Sequence, residues 1–295
     1  MVVRGVIPAA GYGTRLYPVT KTQPKEMLPV GRKPVIQYVV EELARAGISD
    51  ILIVTGRYKN TMEAYFDDHF PATTVVEPAL RNWIDLNVRI YYVRQPHPRG
   101  TGHAVGLARG FTNAEPFVVA MGDSIIWGTQ NKGIIEELID AHISTGSVAT
   151  IAVEAVEPTE LPHYGVVRVE GNERVRRVLG IVEKPSPYQA PSNLAVAGRY
   201  VFDPIIYDAL THVHAEDGKE LGLTAGIRVL IEQGYPVYCV QLSDEQQRMD
   251  VGNFPAYFRA FIRACLEDPE LRREMASYMM RMLEHYGVEL ELPRA

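Results

Sequence analysis

The fold is decided by an apolar run, Val2-Val3-Arg4-Gly5-Val6-Ile7, and by the glycine-containing stretch that follows it, Ala9-Ala10-Gly11-Tyr12-Gly13-Thr14-Arg15. The run predicts a buried β-strand. Gly11 and Gly13 leave backbone N–H groups open to a close ligand, which suits phosphate oxygens. Arg15 and the later Lys25 can neutralise the same phosphates. We interpret the stretch as a polyphosphate-binding loop; without the two cations, an ordinary glycine-rich turn would be the better interpretation.

The composition is typical of a globular protein. The chain has 295 residues, of which 46% are hydrophobic, enough for one large domain or two small ones. Its net charge of -6 argues against broad attraction to nucleic acid, although it permits a local basic pocket. No run approaches the ~20 apolar residues of a membrane-spanning helix, and the N-terminal run is too short for a signal peptide. We expect a cytoplasmic protein that binds neither nucleic acid nor membrane.

The cysteines and the missing motifs narrow the chemistry further. Cys239 lies in an apolar run and Cys265 in a helical pattern, so we interpret both as packing thiols, which suits a reducing compartment. The sequence contains no His-Glu-x-x-His, no pair of Cys-x-x-Cys motifs and no Walker motif. Zinc hydrolysis and P-loop ATPase chemistry are therefore disfavoured.

Apolar strand patterns alternate with helical patterns over the first half of the chain. We predict strands at residues 2–7, 51–54, 89–93, 117–121 and 148–153, and helices at 35–46, 59–69, 102–110 and 134–144. This alternation predicts βαβ units and a mostly parallel sheet, which binds ligands at the carboxyl ends of its strands. The glycine-rich loop, Gln95 and Asp123 all follow strand ends, so we expect them to share one site.

The second half has a different pattern, with closely spaced strands at residues 164–169, 176–182 and 194–202 that favour antiparallel pairing. Helices at 204–210 and 224–232 and a strand at 237–242 complete the predicted core. After Asn253 we predict helix to Tyr286, interrupted near Asp268-Pro269. A methionine cluster from Met275 to Met282 fits either a helix packed on its own core or a dimer seam. We predict a catalytic domain at 1–263 and a C-terminal helical extension at 264–295.

Asp123 and Asp250 are candidate metal ligands, because Mg²⁺ prefers carboxylate and phosphate oxygens. Each is also compatible with a helix cap or a turn. Lys184 follows a strand and precedes Pro185, which stiffens the turn; it either faces a phosphate or is a solvated lysine.

Gly165 and Gln95 are candidates for ligand contact. Gly165 either admits a flat ligand or makes a tight bend. Gln95 has a donor and an acceptor, which matches the edge of a base. His103, close to Gln95, is equally compatible with a helix N-terminus without chemistry.

Assembled in order, these segments resemble those of the sugar nucleotidyltransferase family, and within it the branch that uses UTP. Besides the glycine-rich loop, the matching pieces are Pro24-Lys25-Glu26-Met27-Leu28-Pro29-Val30, residues 33–42, Val93-Arg94-Gln95, Gly100-Thr101-Gly102-His103-Ala104-Val105, Tyr164-Gly165-Val166-Val167, Val182-Glu183-Lys184-Pro185, residues 191–200 and Met249-Asp250-Val251-Gly252-Asn253. They run in family order from residue 5 to about residue 263. The resemblance implies a Rossmann-like, three-layer α/β nucleotidyltransferase fold with a mixed, mostly parallel sheet.

The resemblance also implies an activity and a set of roles. The activity is Mg²⁺-dependent transfer of the uridylyl group of UTP to glucose 1-phosphate, in a homo-oligomer (dimer or tetramer). The implied catalytic residues are Arg15, Lys25 and Lys184. The implied nucleotide contacts are Ala10, Gly11, Gly13, Thr14, Glu26, Gln95 and Gly100. The implied sugar contacts are Gly165 and Glu183, and the implied metal ligands are Asp123 and Asp250.

Other functions stay open at this point. One is the same chemistry with dTTP or another sugar 1-phosphate, and a second is a regulator that binds a nucleotide sugar without turnover. A dinucleotide-dependent oxidoreductase is disfavoured, because its fingerprint needs an acid at the end of the second strand, where this chain has Val54-Thr55-Gly56. The segment Lys219-Glu220-Leu221-Gly222-Leu223-Thr224-Ala225 departs from the acidic, glutamine-containing stretch that is usual in the family. That stretch lies near the sugar, so the choice of sugar depends on it.

Overall fold

The computed structural model, which describes residues 4–57, 59–67, 87–128, 132–213 and 220–288, is built around a nine-stranded mixed β-sheet. The strands of the described chain are β1 (Arg4–Ala9), β2 (Pro29–Val30), β3 (Lys33–Pro34), β4 (Asp50–Thr55), β5 (Arg89–Arg94), β6 (Phe117–Ala120), β7 (Ser124–Trp127), β8 (Ala149–Ala155), β9 (Gly165–Glu170), β10 (Val175–Glu183), β11 (Leu194–Phe202), β12 (Val237–Gln241) and β13 (Gln247–Asp250). The large sheet has the order β5-β4-β1-β6-β11-β8-β12-β10-β9. Within it only β10 and β11 run against the other strands. The predicted mixed, mostly parallel sheet is confirmed.

Helices cover both faces of the sheet. In the described residues they are α1 (Val35–Arg45), α2 (Asn60–Phe66), α3 (Thr101–Gly106), α4 (Arg109–Thr112), α5 (Ile134–Thr145), α6 (Ile205–Thr211), α7 (Leu223–Glu232), α8 (Phe254–Glu267) and α9 (Arg272–His285). Buried side chains of α1 and α5 pack on one face of the sheet, and those of α3, α6 and α7 pack on the other. Each apolar helix stripe thus meets one face of the sheet, as three-layer α/β folds require.

The periodic segments were well predicted, and the differences are local. The predicted helix at residues 102–110 is two short helices, α3 and α4, because the N–H of Ala108 donates to Val105 in a tighter turn. Residues 2–3 and 68–69 of the predicted strand and helix lie outside the described chain. The short strands β7 and β13 were not predicted. They pair as an antiparallel ribbon in which Ser124 faces Asp250.

The sheet curls back on itself at one side. β11 pairs with β8 along most of its length and also with β9, where Ala195 faces Val166. Because β8, β12, β10 and β9 are consecutive neighbours, this extra pairing closes a partial barrel. The start of β9 and the end of β10 are thereby brought beside the carboxyl end of β8.

The C-terminal helices differ in how they pack. Ala260 and Ala264 of α8 are buried in a third cluster with Val30. α9 has no buried residue, and Met280 is 60% exposed, so the methionines do not form a core of their own within one chain. α8 continues without interruption past residue 263, and the division at 263/264 remains a proposal.

The two cysteines lie in the interior of the protein. Cys239 and Cys265 are both buried and unpaired, as expected of packing thiols, and burial raises the pKa of the Cys239 thiol to about 11. Among the described helices none is both long and apolar enough to span a bilayer.

Candidate active site

The candidate site lies at the carboxyl ends of four parallel strands. β5, β4, β1 and β6 run side by side in the same direction. Gln95, Ala10 and Asp123 come shortly after the ends of β5, β1 and β6, as the sequence predicted. These residues therefore share one edge of the sheet, where α/β proteins bind ligands.

The loop after β1 exposes backbone donors. Gly11, Thr14 and Arg15 are exposed, whereas Ala10 is buried. Gly13 has φ 65°, a left-handed conformation that favours glycine, and its carbonyl accepts a 2.7 Å hydrogen bond from the Thr20 hydroxyl. Within the described chain, the N–H groups of residues 11–13 donate to no protein acceptor. A turn with free N–H groups and an adjacent arginine fits an anion.

Lys25 reaches across the site to Asp123. Its ammonium donates to the Asp123 carboxylate, and the two side chains are 18% and 24% exposed. Burial opposes the charge on both groups. The negative charges of Asp123, Glu26 and Asp250 outweigh that effect and raise the pKa of Lys25. Burial alone would raise the pKa of Asp123, but the Lys25 ammonium lowers it. Both groups are therefore charged at neutral pH.

Glu26 is buried rather than open to the site. Its carboxylate is 1% exposed and accepts a 2.7 Å bond from the Lys59 ammonium, which also donates to the Ala9 carbonyl at 2.5 Å. Burial lowers the pKa of Lys59 despite the charge of Glu26. Lys59, which sequence reasoning missed, thus ties the segment after Pro24 to the end of β1. The signal for Lys59 that the sequence offered was its position just before α2, shortly after the end of β4.

Asp123 and Asp250 meet at the end of the β7–β13 ribbon. Asp123 directly precedes β7, Asp250 ends β13, and the N–H of Val251 donates to the Asp123 carbonyl at 2.8 Å. Burial, followed by the negative charge of Asp123, raises the pKa of Asp250 to about 6. Its Oδ1 atom is buried without a hydrogen-bond partner among the described residues. A buried carboxylate oxygen with no partner, beside a second carboxylate, fits a hard cation.

Gln95 and Gly100 lie together just beyond the end of β5. The Gln95 side chain is 2% exposed, and its Nε2 donates to the Gly100 carbonyl at 3.3 Å. Gly100 has φ 98°, and an added Cβ would collide with the Leu221 carbonyl. The N–H of Leu223 donates to the Thr101 hydroxyl at 3.0 Å. The unusual segment around residues 220–224 therefore packs against the loop that contains Gly100. Lys219, its first residue, lies outside the described chain.

Gly165, Glu183 and Lys184 come together through strand register. Gly165 faces Glu183 in the β9–β10 pair, and the Lys184 N–H donates to the Tyr164 carbonyl at 2.9 Å. Glu183 and Lys184 are half-exposed. The Thr224 hydroxyl lies 3.1 Å from where a Gly165 side chain would begin. The segment that packs against the Gly100 loop therefore also reaches Gly165 through Thr224.

Arg248 joins these residues to the acid pair. Its guanidinium lies 4.0 Å from the centre of the Tyr164 ring, contacts Glu154 at the end of β8, and lies 3.9 Å from Asp250. The Arg248 side chain is 7% exposed. Arg248 stands two residues before Asp250 in the sequence, but a single arginine in a segment that was not predicted as a strand carries no signal of its own.

A second buried arginine supports the site from beneath. Arg199 is fully buried, pairs with Glu42 of α1 at 2.7 Å, and donates to the Ser124 carbonyl at 2.8 Å. The ion pair connects α1 to the start of β7, next to Asp123. It was not predicted, because nothing in the pattern of β11 distinguishes Arg199 from an outward-facing residue.

Residues 4–265 match the model of the nucleotidyl transferase family. This match covers most of the 295 residues, and the chain belongs to this family.

Its relatives are more specific. It is 38% identical to the UTP–glucose-1-phosphate uridylyltransferase YngB of Bacillus subtilis (strain 168), with 98% of each chain covered. A UTP-bound UDP-glucose pyrophosphorylase of Acinetobacter baumannii has a similar structure, with a TM-score of 0.86 and 33% identity over 96% of this chain and all of that one. A UDP-glucose pyrophosphorylase complexed with UDP-glucose gives a TM-score of 0.81 at 33% identity, over 95% of this chain and 100% of that one.

Proposed function

We propose that this chain transfers the uridylyl group of UTP to glucose 1-phosphate, giving UDP-glucose and pyrophosphate. The observation that carries the proposal is the contact between Lys25 and Asp123, with Asp250 beside them, at the strand edge that holds the glycine-rich loop. A cation and two acids beside free loop N–H groups match a triphosphate. The names of the relatives supply the base and the sugar.

The reaction needs no covalent enzyme intermediate. A phosphate oxygen of glucose 1-phosphate attacks the α-phosphorus of UTP in line, and the bond to pyrophosphate breaks. We assign Lys184 to aligning the attacking phosphate. We assign Arg15 and Lys25 to neutralising charge on the leaving pyrophosphate. Catalysis then consists of positioning and charge stabilisation, as in related phosphoryl transfers.

The acid pair fits Mg²⁺, which we propose as the cofactor. Asp123 and Asp250 would hold it, and the unpartnered Oδ1 of Asp250 supports this role. When bound, the ion supplies positive charge that offsets the charge on the phosphate oxygens. Before the ion binds, the ion pair with Lys25 keeps the Asp123 carboxylate ionised and oriented.

The remaining roles are divided along the same edge. We assign Ala10, Gly11, Gly13 and Thr14 to the nucleoside and phosphates, and Gln95 and Gly100 to the base. Gly165 and Glu183 bind the sugar hydroxyls. We assign Glu26 an indirect role at the base site. Because its carboxylate is buried against Lys59, it acts by holding the segment after Pro24 in place. A cytoplasmic location and a homo-oligomer remain predictions from the sequence.

The deciding experiment measures pyrophosphate release with Mg²⁺ across a grid of nucleoside triphosphates and sugar 1-phosphates. We expect UTP with glucose 1-phosphate to exceed every other pair. A preference for dTTP or for another sugar 1-phosphate would replace the substrate assignment. Binding of nucleotide sugars without turnover of any pair would replace it with a regulatory function.

A further inference from the structure

His103 contacts the residue that we assign to the base. Its Nδ1 lies 2.7 Å from Nε2 of Gln95. The same Gln95 nitrogen lies 3.3 Å from the Gly100 carbonyl oxygen. A carbonyl oxygen only accepts hydrogen bonds, so the end of the Gln95 amide that faces Gly100 must be the NH₂ group.

This orientation defines the state of His103. An amide NH₂ only donates, so Nδ1 of His103 must be the acceptor and the ring hydrogen must sit on Nε2. Burial, followed by the charge of Arg99, lowers the pKa of His103, which agrees with a neutral ring. Both hydrogens of the Gln95 amide are then committed, one to Gly100 and one to His103.

The other end of the amide remains available to a ligand. Among the described residues, no hydrogen-bond partner faces Oε1 of Gln95. Gln95 is otherwise held firmly, because it is 2% exposed and its N–H donates to the Thr55 carbonyl at 2.8 Å. An oriented carbonyl oxygen accepts the N3–H of a uracil and repels the N3 lone pair of a cytosine.

We propose that His103 is a positioning residue that fixes the Gln95 amide, so that the base site selects pyrimidines with an N3–H over cytosine. This inference rests on the proposed function, because it takes Gln95 as the residue that reads the base. Without an acceptor at Nδ1, one hydrogen of the Gln95 amide loses its partner, so the free energy needed to rotate the amide by half a turn falls. The rotated amide would present NH₂ to the base and lower the discrimination against cytosine.

The test compares His103→Leu with His103→Asn. Leucine removes the acceptor, whereas asparagine places Oδ1 close to the position of Nδ1 and can accept the same bond. Equilibrium binding of UTP and of CTP is measured for each variant by titration calorimetry, and turnover with glucose 1-phosphate is measured in parallel. His285→Leu, an exposed position on α9, controls for loss of a histidine elsewhere.

We expect His103→Leu to weaken UTP binding by about 10-fold and to reduce the preference for UTP over CTP by a similar factor, as for one positioned hydrogen bond. His103→Asn should restore most of both, and the KM for glucose 1-phosphate should not change. An unchanged UTP-to-CTP ratio in His103→Leu, or equal losses in the leucine and asparagine variants, would overturn the proposal. Preferential UTP binding without turnover in the wild type would refute the proposed function and leave this inference standing. Equal binding of UTP and CTP by the wild type would refute the inference whatever the turnover.

Discussion

The guanidinium of Arg248 lies 4.0 Å from the centre of the Tyr164 ring, so the strand that ends in Asp250 is joined to the residue before Gly165. Arg248 also contacts Glu154 and is nearly buried. Lysine keeps the charge but loses the planar group that stacks on the ring.

We therefore expect Arg248→Lys to raise the KM for glucose 1-phosphate by about 10-fold, the cost of a desolvated cation–π contact, with a much smaller effect on the KM for UTP. Initial rates with each substrate varied in turn measure the two constants. Arg168→Lys, at an exposed position on β9, is the matched control. Equal increases in both constants would show that Arg248 has no special relation to the sugar side.

Lys25→Ala should lower turnover by about 10²–10³-fold, because it removes the positive charge that we assign to neutralising the leaving pyrophosphate. Lys21→Ala removes an exposed lysine a few residues away and should leave turnover unchanged. Steady-state kinetics and thermal unfolding of both variants separate catalysis from folding. Near-normal turnover in Lys25→Ala would contradict the role assigned to this residue.

Asp250→Asn should stabilise the metal-free protein at neutral pH while abolishing activity. The pKa of Asp250 is about 6 in the folded state and about 4 in the unfolded state, so the folded protein binds this proton more tightly. The carboxylate charge therefore destabilises the fold progressively as pH rises from about 4 to about 6, and fully above that range.

After allowance for its partial exposure, we expect a gain of about 1 kcal/mol for Asp250→Asn at pH above the folded pKa, and no gain at a pH below about 4. Urea unfolding in the presence of EDTA at both pH values measures the difference. Asp244→Asn, an exposed position, is the control. A loss of stability at neutral pH would contradict the sign of the shift.

Removing one partner of the buried Glu26–Lys59 pair should destabilise the fold much more than replacing both partners with apolar residues. Removing one partner leaves an uncompensated buried charge, so Lys59→Met should lower the free energy of unfolding by about 3–5 kcal/mol. The double variant Glu26→Leu with Lys59→Met should recover most of that loss. Denaturant titration of the single and double variants gives the coupling, and additive losses would show that the pair does not act as a unit.

The sequence predicted the periodic elements and the shared edge because both follow from apolar spacing and strand order. Residues 35–46 and 194–202 were predicted almost to their ends, since each buries a continuous apolar face. β7 and β13 were missed because each is short and, among the described strands, pairs only with the other. Their pairing brings Asp250 close to Asp123. The two acids could therefore be picked out from the sequence, but their closeness in space could not.

Buried polar contacts were the hardest part to predict. Glu26 was expected to contact the nucleotide, and its burial against Lys59 depends on tertiary packing across β1. Lys59, Arg199 and Arg248 are charged residues in otherwise unremarkable positions, and a charged side chain is exposed by default. A single sequence shows no reason to assign them to the interior.

The ribbon that carries the acid pair has a mechanical consequence. Asp123 and Asp250 lie at the same end of the two hydrogen-bonded strands β7 and β13, so any rigid-body tilt of the ribbon moves both carboxylates by the same rotation. The distance between the two carboxylates is then set by the pairing of β7 with β13. The position of the ribbon in the protein is set by the Arg199–Glu42 pair, through the hydrogen bond from Arg199 to the Ser124 carbonyl. Substitutions of Arg199 or Glu42 should therefore move the two carboxylates together without changing the distance between them.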